Sequence, residues 1–187
     1  MTRILLVILL CQMVMHTFEI YSQPLDFTVP RYSLRTSDDY ARYRPDAINA
    51  MQWLLQNPVS AQVEKRKEVS AFVMGWLAGT EEIKLTLKPE ILGDLLIENG
   101  FLFSTELVVV YMSSMALEML LSEIKPEDWA IQLAGVGAML EAYRYVKNSS
   151  RSTHLINLQN LKNQGKLEEW VRSNVQYATQ DIAGKKS

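Results

Sequence analysis

Apolar residues recur at helical spacing in several stretches, each bounded by its own start and stop signals. Ile48, Met51, Leu54 and Leu55 repeat about every 3.6 residues. Pro45 suits a first helical position, Asp46 faces the positive end of the helix dipole, and Asn57-Pro58 ends the run, which predicts a helix over 45–56. A second helix is predicted over 60–78. Ser60 is its cap and Val63, Val69, Phe72, Val73, Trp76 and Leu77 its apolar side. Glu64, Lys65, Arg66, Lys67 and Glu68 form a solvated opposite half, and Gly79 is placed for a left-handed C-cap. Ile83, Leu85 and Leu87 then alternate with Lys84, Thr86 and Lys88. That is a period of two with no second strand to pair with, so it predicts an extended connector pinned to the helices by its apolar side chains.

Pro89-Glu90 restarts a helix to about Glu98, stopped by Asn99-Gly100. Residues 101–121 are the longest apolar stretch, broken by Glu106 and Glu118. Its length would allow a membrane span. An ionised carboxylate within hydrocarbon costs roughly 2.5–3.5 kcal/mol on insertion scales, so a central helix buried nearly all round is the expectation. Lys125-Pro126 breaks it, and Pro126-Glu127-Asp128 opens a helix to about Lys147, closed by Asn148-Ser149-Ser150. Ala130, Ala134, Gly137, Ala138 and Glu141 fall near one of its faces. With Ser113, Ser114 and Ala116 on the preceding helix they predict a tight crossing, and close packing is also the reading of Gly135 with Gly137. Leu155, Ile156, Leu158 and Leu161 give a short helix ending near Lys162-Asn163, with Gly165 as punctuation. Leu167, Trp170, Val171, Asn174 and Val175 give the last.

The fold class is therefore all-α: an irregular bundle of about seven helices in antiparallel hairpins with one short extended connector. No fixed-period signature of a solenoid occurs. Before the bundle, residues 23–44 carry Pro, Ser, Arg and Tyr without a sustained period and read as an extended lead-in, with a short turn of helix at Ser37 to Tyr40. Residues 45–180 form one helical domain, and 181–187 read as a disordered tail.

Residues 1–22 have a different character. Arg3, the apolar run from Ile4 to Cys11 continued through Met13, Val14 and Met15, and the exit Tyr21-Ser22-Gln23-Pro24 have the order of an export signal, too short to cross a bilayer. Cleavage after Ser22 is expected, with an uncleaved anchor as the alternative. Leu9 and Leu10 before Cys11 argue against lipidation. The expected location is periplasmic or secreted, with no integral membrane span once the signal is removed. Removal of 1–22 also removes the one cysteine and leaves His154 as the one histidine, so stability must come from packing rather than disulfides. A chain of this size buries roughly 70% of its unfolded surface, enough for a single core.

Charge and motif content narrow the chemistry. The formal net charge of −2, unchanged by loss of Arg3 and Glu19, gives no basic surplus of the kind nucleic-acid binding requires. One imidazole and no thiol make a zinc or iron centre unexpected, the Glu-x-x-His pair of di-iron bundles is missing, and no calcium-loop pattern occurs. No cofactor is expected, since neither the dinucleotide nor the P-loop glycine pattern is present. His154, in Ser152-Thr153-His154, reads as a surface residue near a helix start, without a nucleophile elbow to use it. Glu106 and Glu118 project about 120° apart and about 18 Å along one helix, so they cannot act as an acid–base pair. Glu106 could instead meet Arg144 or a tyrosine of the next helix, and Glu141 can pair with Arg144 at i, i+3.

Glu106, Glu118, Glu141, Tyr143, Arg144 and Tyr145 are the polar set expected near the core. A pocket built from Glu106, Glu141, Tyr143 and Arg144 between the helices around 101–122 and 127–147 would make the protein a small-molecule or peptide binder. The other reading takes these groups as satisfied core polar residues. An enzyme is not expected; one would have to work with carboxylates and tyrosines alone. Asn148-Ser149-Ser150 fits a glycosylation acceptor only in a eukaryotic secretory route.

Residues 45–54 (PDAINAMQWL), 62–69 (QVEKRKEV), the Trp76-Leu77-Ala78-Gly79 exit, the Ile83 to Leu87 alternation and Gly165-Lys166-Leu167-Glu168-Glu169-Trp170 resemble a group of uncharacterised exported all-α bacterial proteins. The resemblance covers most of the chain beyond the leader and carries no catalytic motif. It implies a secreted or cell-envelope helical domain. With packing signals abundant and reactive groups scarce, the expected function is that of a structural or interaction protein, with a protein partner or a second copy of itself. The lead-in aromatics and the mixed-charge helix would be its contact surfaces.

Overall fold

The computed structural model describes residues 26–96, 103–146 and 152–184. The leader, Asn99-Gly100, Lys147, Asn148-Ser149-Ser150 and residues 185–187 lie outside them. Eight α-helices follow in order: α1 Ser37–Arg42, α2 Arg44–Gln56, α3 Val63–Gly79, α4 Pro89–Leu92, α5 Ser104–Leu121, α6 Asp128–Tyr143, α7 Thr153–Asn163 and α8 Leu167–Gly184, with a 3₁₀ turn at Gly93–Leu96 after α4. There is no strand among the described residues. The all-α bundle is thus as the periodicity predicts, and residues 81–88 form the extended connector, with Ile83 buried and Leu85 and Leu87 packed against the core.

α5 has two buried sides. Leu107, Val110, Tyr111 and Met115 enter one apolar cluster with Ile131, Val136, Met139 and Leu140 of α6, Leu155 and Leu158 of α7, and Val171 and Val175 of α8. Val109, Ala116 and Leu120 enter a second cluster with Met51, Trp53 and Leu54 of α2 and Val69, Phe72, Val73 and Trp76 of α3. By length and composition α5 could also cross a membrane. Each fully buried large apolar side chain contributes about 1.5–3 kcal/mol, so the two clusters dominate the favourable side of folding.

Several boundaries differ from expectation for local reasons. α3 begins at Val63 rather than at Ser60, because Val59 is buried and residues 58–61 are spent on a turn closed by the Ala61 N–H on the Pro58 carbonyl. Gln62 is the N-cap, in the left-handed region at φ 48°. Gly79 is not a left-handed cap; it is the last residue of α3, and the Tyr40 phenol fills the space a β-carbon would take, so close approach accounts for the glycine. The helix opened by Pro89 changes to 3₁₀ at Gly93, where φ is +54° and the His154 ring occupies the space of a β-carbon. α6 ends at Tyr143, short of Lys147, and α8 continues to Gly184, past the expected start of the tail at 181.

The α5–α6 crossing is close, but its face differs from the small-residue face expected. The buried stripe of α6 is Ile131, Gln132, Gly135, Val136, Met139 and Leu140, while Glu141 is exposed. Gly135 sits against Tyr111 and Met115, and the Ser114 hydroxyl donates to the Ala134 carbonyl at 3.0 Å. Gly137 has open space where a β-carbon would go, so close packing explains Gly135 alone.

These two glycines give a matched test. Gly135→Ala forces Tyr111 and Met115 to move and is expected to destabilise the domain by about 1–3 kcal/mol. Gly137→Ala gains helix propensity and is expected to stabilise it by up to about 1 kcal/mol. Urea unfolding of the two variants beside the parent checks both signs.

Candidate functional site

The lead-in forms a strap across α3. Phe27 is buried in the second cluster, and Asp26 pairs with Lys65 at 3.0 Å. The Tyr32 ring tilts against Phe72 at 4.8 Å, and the Tyr43 hydroxyl donates to the Arg31 carbonyl at 3.1 Å. α1 then begins with a capping box. The Thr36 hydroxyl accepts from the Asp39 N–H at 3.3 Å, and the Asp39 carboxylate accepts from the N–H groups of Arg35 at 3.0 Å and Thr36 at 3.1 Å. The Arg35 N–H is the main reason the Asp39 carboxyl is held below its usual range; partial desolvation opposes the shift and the Thr36 bonds add to it. Tyr40 is fixed at both ends: its hydroxyl donates to the Leu34 carbonyl at 3.4 Å, and its own carbonyl accepts from the buried Trp76 indole at 2.9 Å.

Where the strap meets the end of α3, the surface opens into a cleft of about 380 Å³. It is lined by Arg35, Thr36, Ser37, Tyr40 and Ala41 from the strap and α1, and by residues 79–82 at and after the end of α3. The Gly79 backbone against the Tyr40 ring brings the two walls together. Glu82 is held by Arg44, whose Nε lies 2.7 Å from one carboxylate oxygen and 2.9 Å from the other, and whose Nη2 donates to the Leu120 carbonyl at 3.1 Å. This exposed pair contributes at most about 1 kcal/mol, but it anchors the cleft beside the end of α5. Two exposed aliphatics adjoin it, Leu121 at the end of α5 and Ile124 on the link to α6, the latter 83% exposed.

The pocket residues expected from the sequence take up separate positions. Glu106 is half-buried in the first turn of α5, and the cation it acts on is Arg66 of α3, not Arg144. Arg144 pairs with Glu141 at 2.8 Å on the surface, and Lys162 stands 4.0 Å from the same carboxylate. Tyr143 accepts the Ser152 N–H at 3.1 Å on its hydroxyl, tying α6 to the start of α7. Tyr145 is exposed and Glu118 half-buried. His154 is half-buried rather than free on the surface: its Nε2 lies 2.8 Å from the Ile91 carbonyl, which requires an N–H there, and its ring sits 6.3 Å from that of Trp170.

Arg66 is the residue that departs furthest from its expected place. Assigned by its charged neighbours to a solvated face, it is 2% exposed. Its Nη2 donates to the carbonyls of Leu54, at 2.8 Å, and Asn57, closing the end of α2, while Nε and Nη1 have no partner. Burial pulls its pKa down to about 10, and the Glu106 charge works against that. The signal was present in the sequence: Arg66 falls on the same stripe as Val69, Val73 and Trp76, all of them buried. Gln132 was missed for a similar reason, a polar residue on an apolar stripe.

No group of three or more His, Cys, Asp or Glu side chains among the described residues is placed to hold a metal ion. No protein-family description matches this chain, and neither a curated protein nor a solved structure matches it.

The Asp39 box sets a pH dependence. Because its folded pKa lies below the unfolded value, its support of α1 is fully present above the ordinary carboxylate range and is lost as pH falls through the depressed value. Amide exchange of Tyr40 to Arg42 is expected to quicken on acidification beyond the trend of α2. The Asp39→Asn variant is expected to lack that acid-dependent step.

Proposed function

We propose that this chain is an exported helical domain of the cell envelope, periplasmic or secreted, that works by contact as a structural or interaction protein rather than by turnover. The leader pattern of residues 1–22 and the resemblance to exported helical proteins support the location. Removal of the leader leaves a cysteine-free domain with a packed core, which suits export without disulfide formation.

The observation that carries the contact reading is the junction of α5 with the link to α6. Leu121 and Ile124 are 55% and 83% exposed within a few residues of each other. Single exposed aliphatics are ordinary, but two within four residues, at the end of α5 and on the link that follows, offer an apolar contact point. Glu123 and Lys125 flank it with both charge signs, giving the polar rim found around protein contacts.

A photocrosslinking residue at Ile124, in the full chain expressed in its native cell, is expected to give adducts of discrete mass in the envelope or external fraction. The same residue at exposed Asn163 should give none. Terminal sequencing of the recovered protein should begin at Gln23. Absence of any Ile124 adduct, or recovery of the protein only from the cytosol, would contradict the proposal.

A further inference from the structure

We infer that the cleft between α1 and the end of α3 is a binding site for a short zwitterion, a free amino acid or small peptide carrying both termini. This goes beyond the contact function proposed above and stands without it. Some of the charges in and beside the cleft are already used. Glu82 is neutralised by Arg44, and Asp39 is consumed by the Arg35 and Thr36 N–H groups. Two charged lining residues remain, Arg35 just before α1 and Glu81 just after α3. Neither charged end has a hydrogen-bond or ion-pair partner among the described residues, and both are exposed to whatever enters. One cleft is thus lined by a cationic and an anionic residue that no ion pair engages.

A ligand with a single charge satisfies one of them and leaves the other facing it with the wrong sign. A carboxylate beside Arg35 with an ammonium beside Glu81 satisfies both, and each contact is a charge-assisted hydrogen bond. The volume, about 380 Å³, lies at the lower end of the roughly 300–1,000 Å³ usual for small-ligand pockets, which favours a ligand of one to a few residues. Beside the two charged residues, Tyr40, Thr36, Ser37 and Thr80 supply an amphipathic lining suited to a peptide unit. Tyr40 is held in place by Leu34, Trp76 and Gly79, so this wall is formed before binding. Both charges are exposed, so each is worth little alone and the affinity is in the millimolar class.

The probe is trialanine, compared with its N-acetylated and its C-amidated forms, followed by amide chemical shifts of the isotope-labelled protein. Trialanine is expected to move the resonances of Thr36, Ser37, Gly79 and Thr80, and each blocking group to weaken binding about two- to fivefold. Glu81→Gln should remove the sensitivity to N-acetylation and keep the sensitivity to amidation, and Arg35→Gln should do the reverse. Both positions are exposed and the spectra away from the cleft report whether the variants fold. If a variant does not fold, the blocked peptides on the parent protein decide. The inference is overturned if trialanine leaves these resonances unmoved, if blocked and free peptides bind alike, or if sodium acetate shifts the same amides to the same extent.

Discussion

The structure depends on α5 being buried from two sides at once. Leu107, Val110, Tyr111 and Met115 face α6 and the C-terminal helices, while Val109, Ala116 and Leu120 face α2 and α3. An amphipathic helix covers a single core and leaves one face in water. α5 instead serves as the shared wall of two apolar clusters, and neither could close without it. The same requirement accounts for Gly135, since a wall packed on both sides forces α6 onto Tyr111 and Met115 at a distance that leaves no room for a β-carbon.

Burying α5 from two sides, though not all round as the apolar stretch suggests, also imposes polar obligations inside the bundle. The Tyr111 phenol, pushed to a higher pKa by burial and so kept protonated, donates to the Gln132 side-chain carbonyl. Gln132 in turn donates to the Thr86 carbonyl at 2.9 Å. This chain joins α5, α6 and the extended connector, and it meets hydrogen-bonding needs that would otherwise cost about 1–3 kcal/mol per buried group. Arg66 does the comparable work at the other cluster, supplying the donor for the last carbonyls of α2 beside Trp53. Its unpaired Nε and Nη1 show that this arrangement is less complete than the Tyr111 chain. On the outer side, Arg172 stacks on Trp129 with its guanidinium carbon 3.5 Å from the ring centre, clamping α8 to α6.

Much of the fold was legible because apolar periodicity and punctuation agree along most of the chain. Pro45, Asn57-Pro58, Pro89 and Gly165 mark real boundaries, and the Ile83 to Leu87 alternation correctly reads as a pinned connector without a ladder. Boundaries failed where tertiary contact overrode local preference: Val59 drew the α2–α3 turn inward, and Gly79 serves the close approach of Tyr40 rather than a left-handed cap. The cleft was not legible, because its walls come from the lead-in and from residues 79–82, which are brought together only by the strap crossing α3. The expected pocket set was misjudged for the converse reason. Glu141 and Arg144 are near in sequence to apolar residues but stand on the outward side of α6, whereas Arg66, inside a run of charges, points inward. Position on the stripe decided burial in both cases, and the charge of the neighbours did not.

The claim that α5 unites the two clusters into one cooperative unit is tested most directly by native-state hydrogen exchange across a denaturant series. The account predicts that the amides of Val109 to Met115 exchange only through global unfolding, with the same free energy and denaturant dependence as those of Phe72 to Trp76 in α3 and Val136 to Leu140 in α6. Separate isotherms for the α2–α3 and α6–α8 groups, with α5 opening below the global free energy, would contradict it.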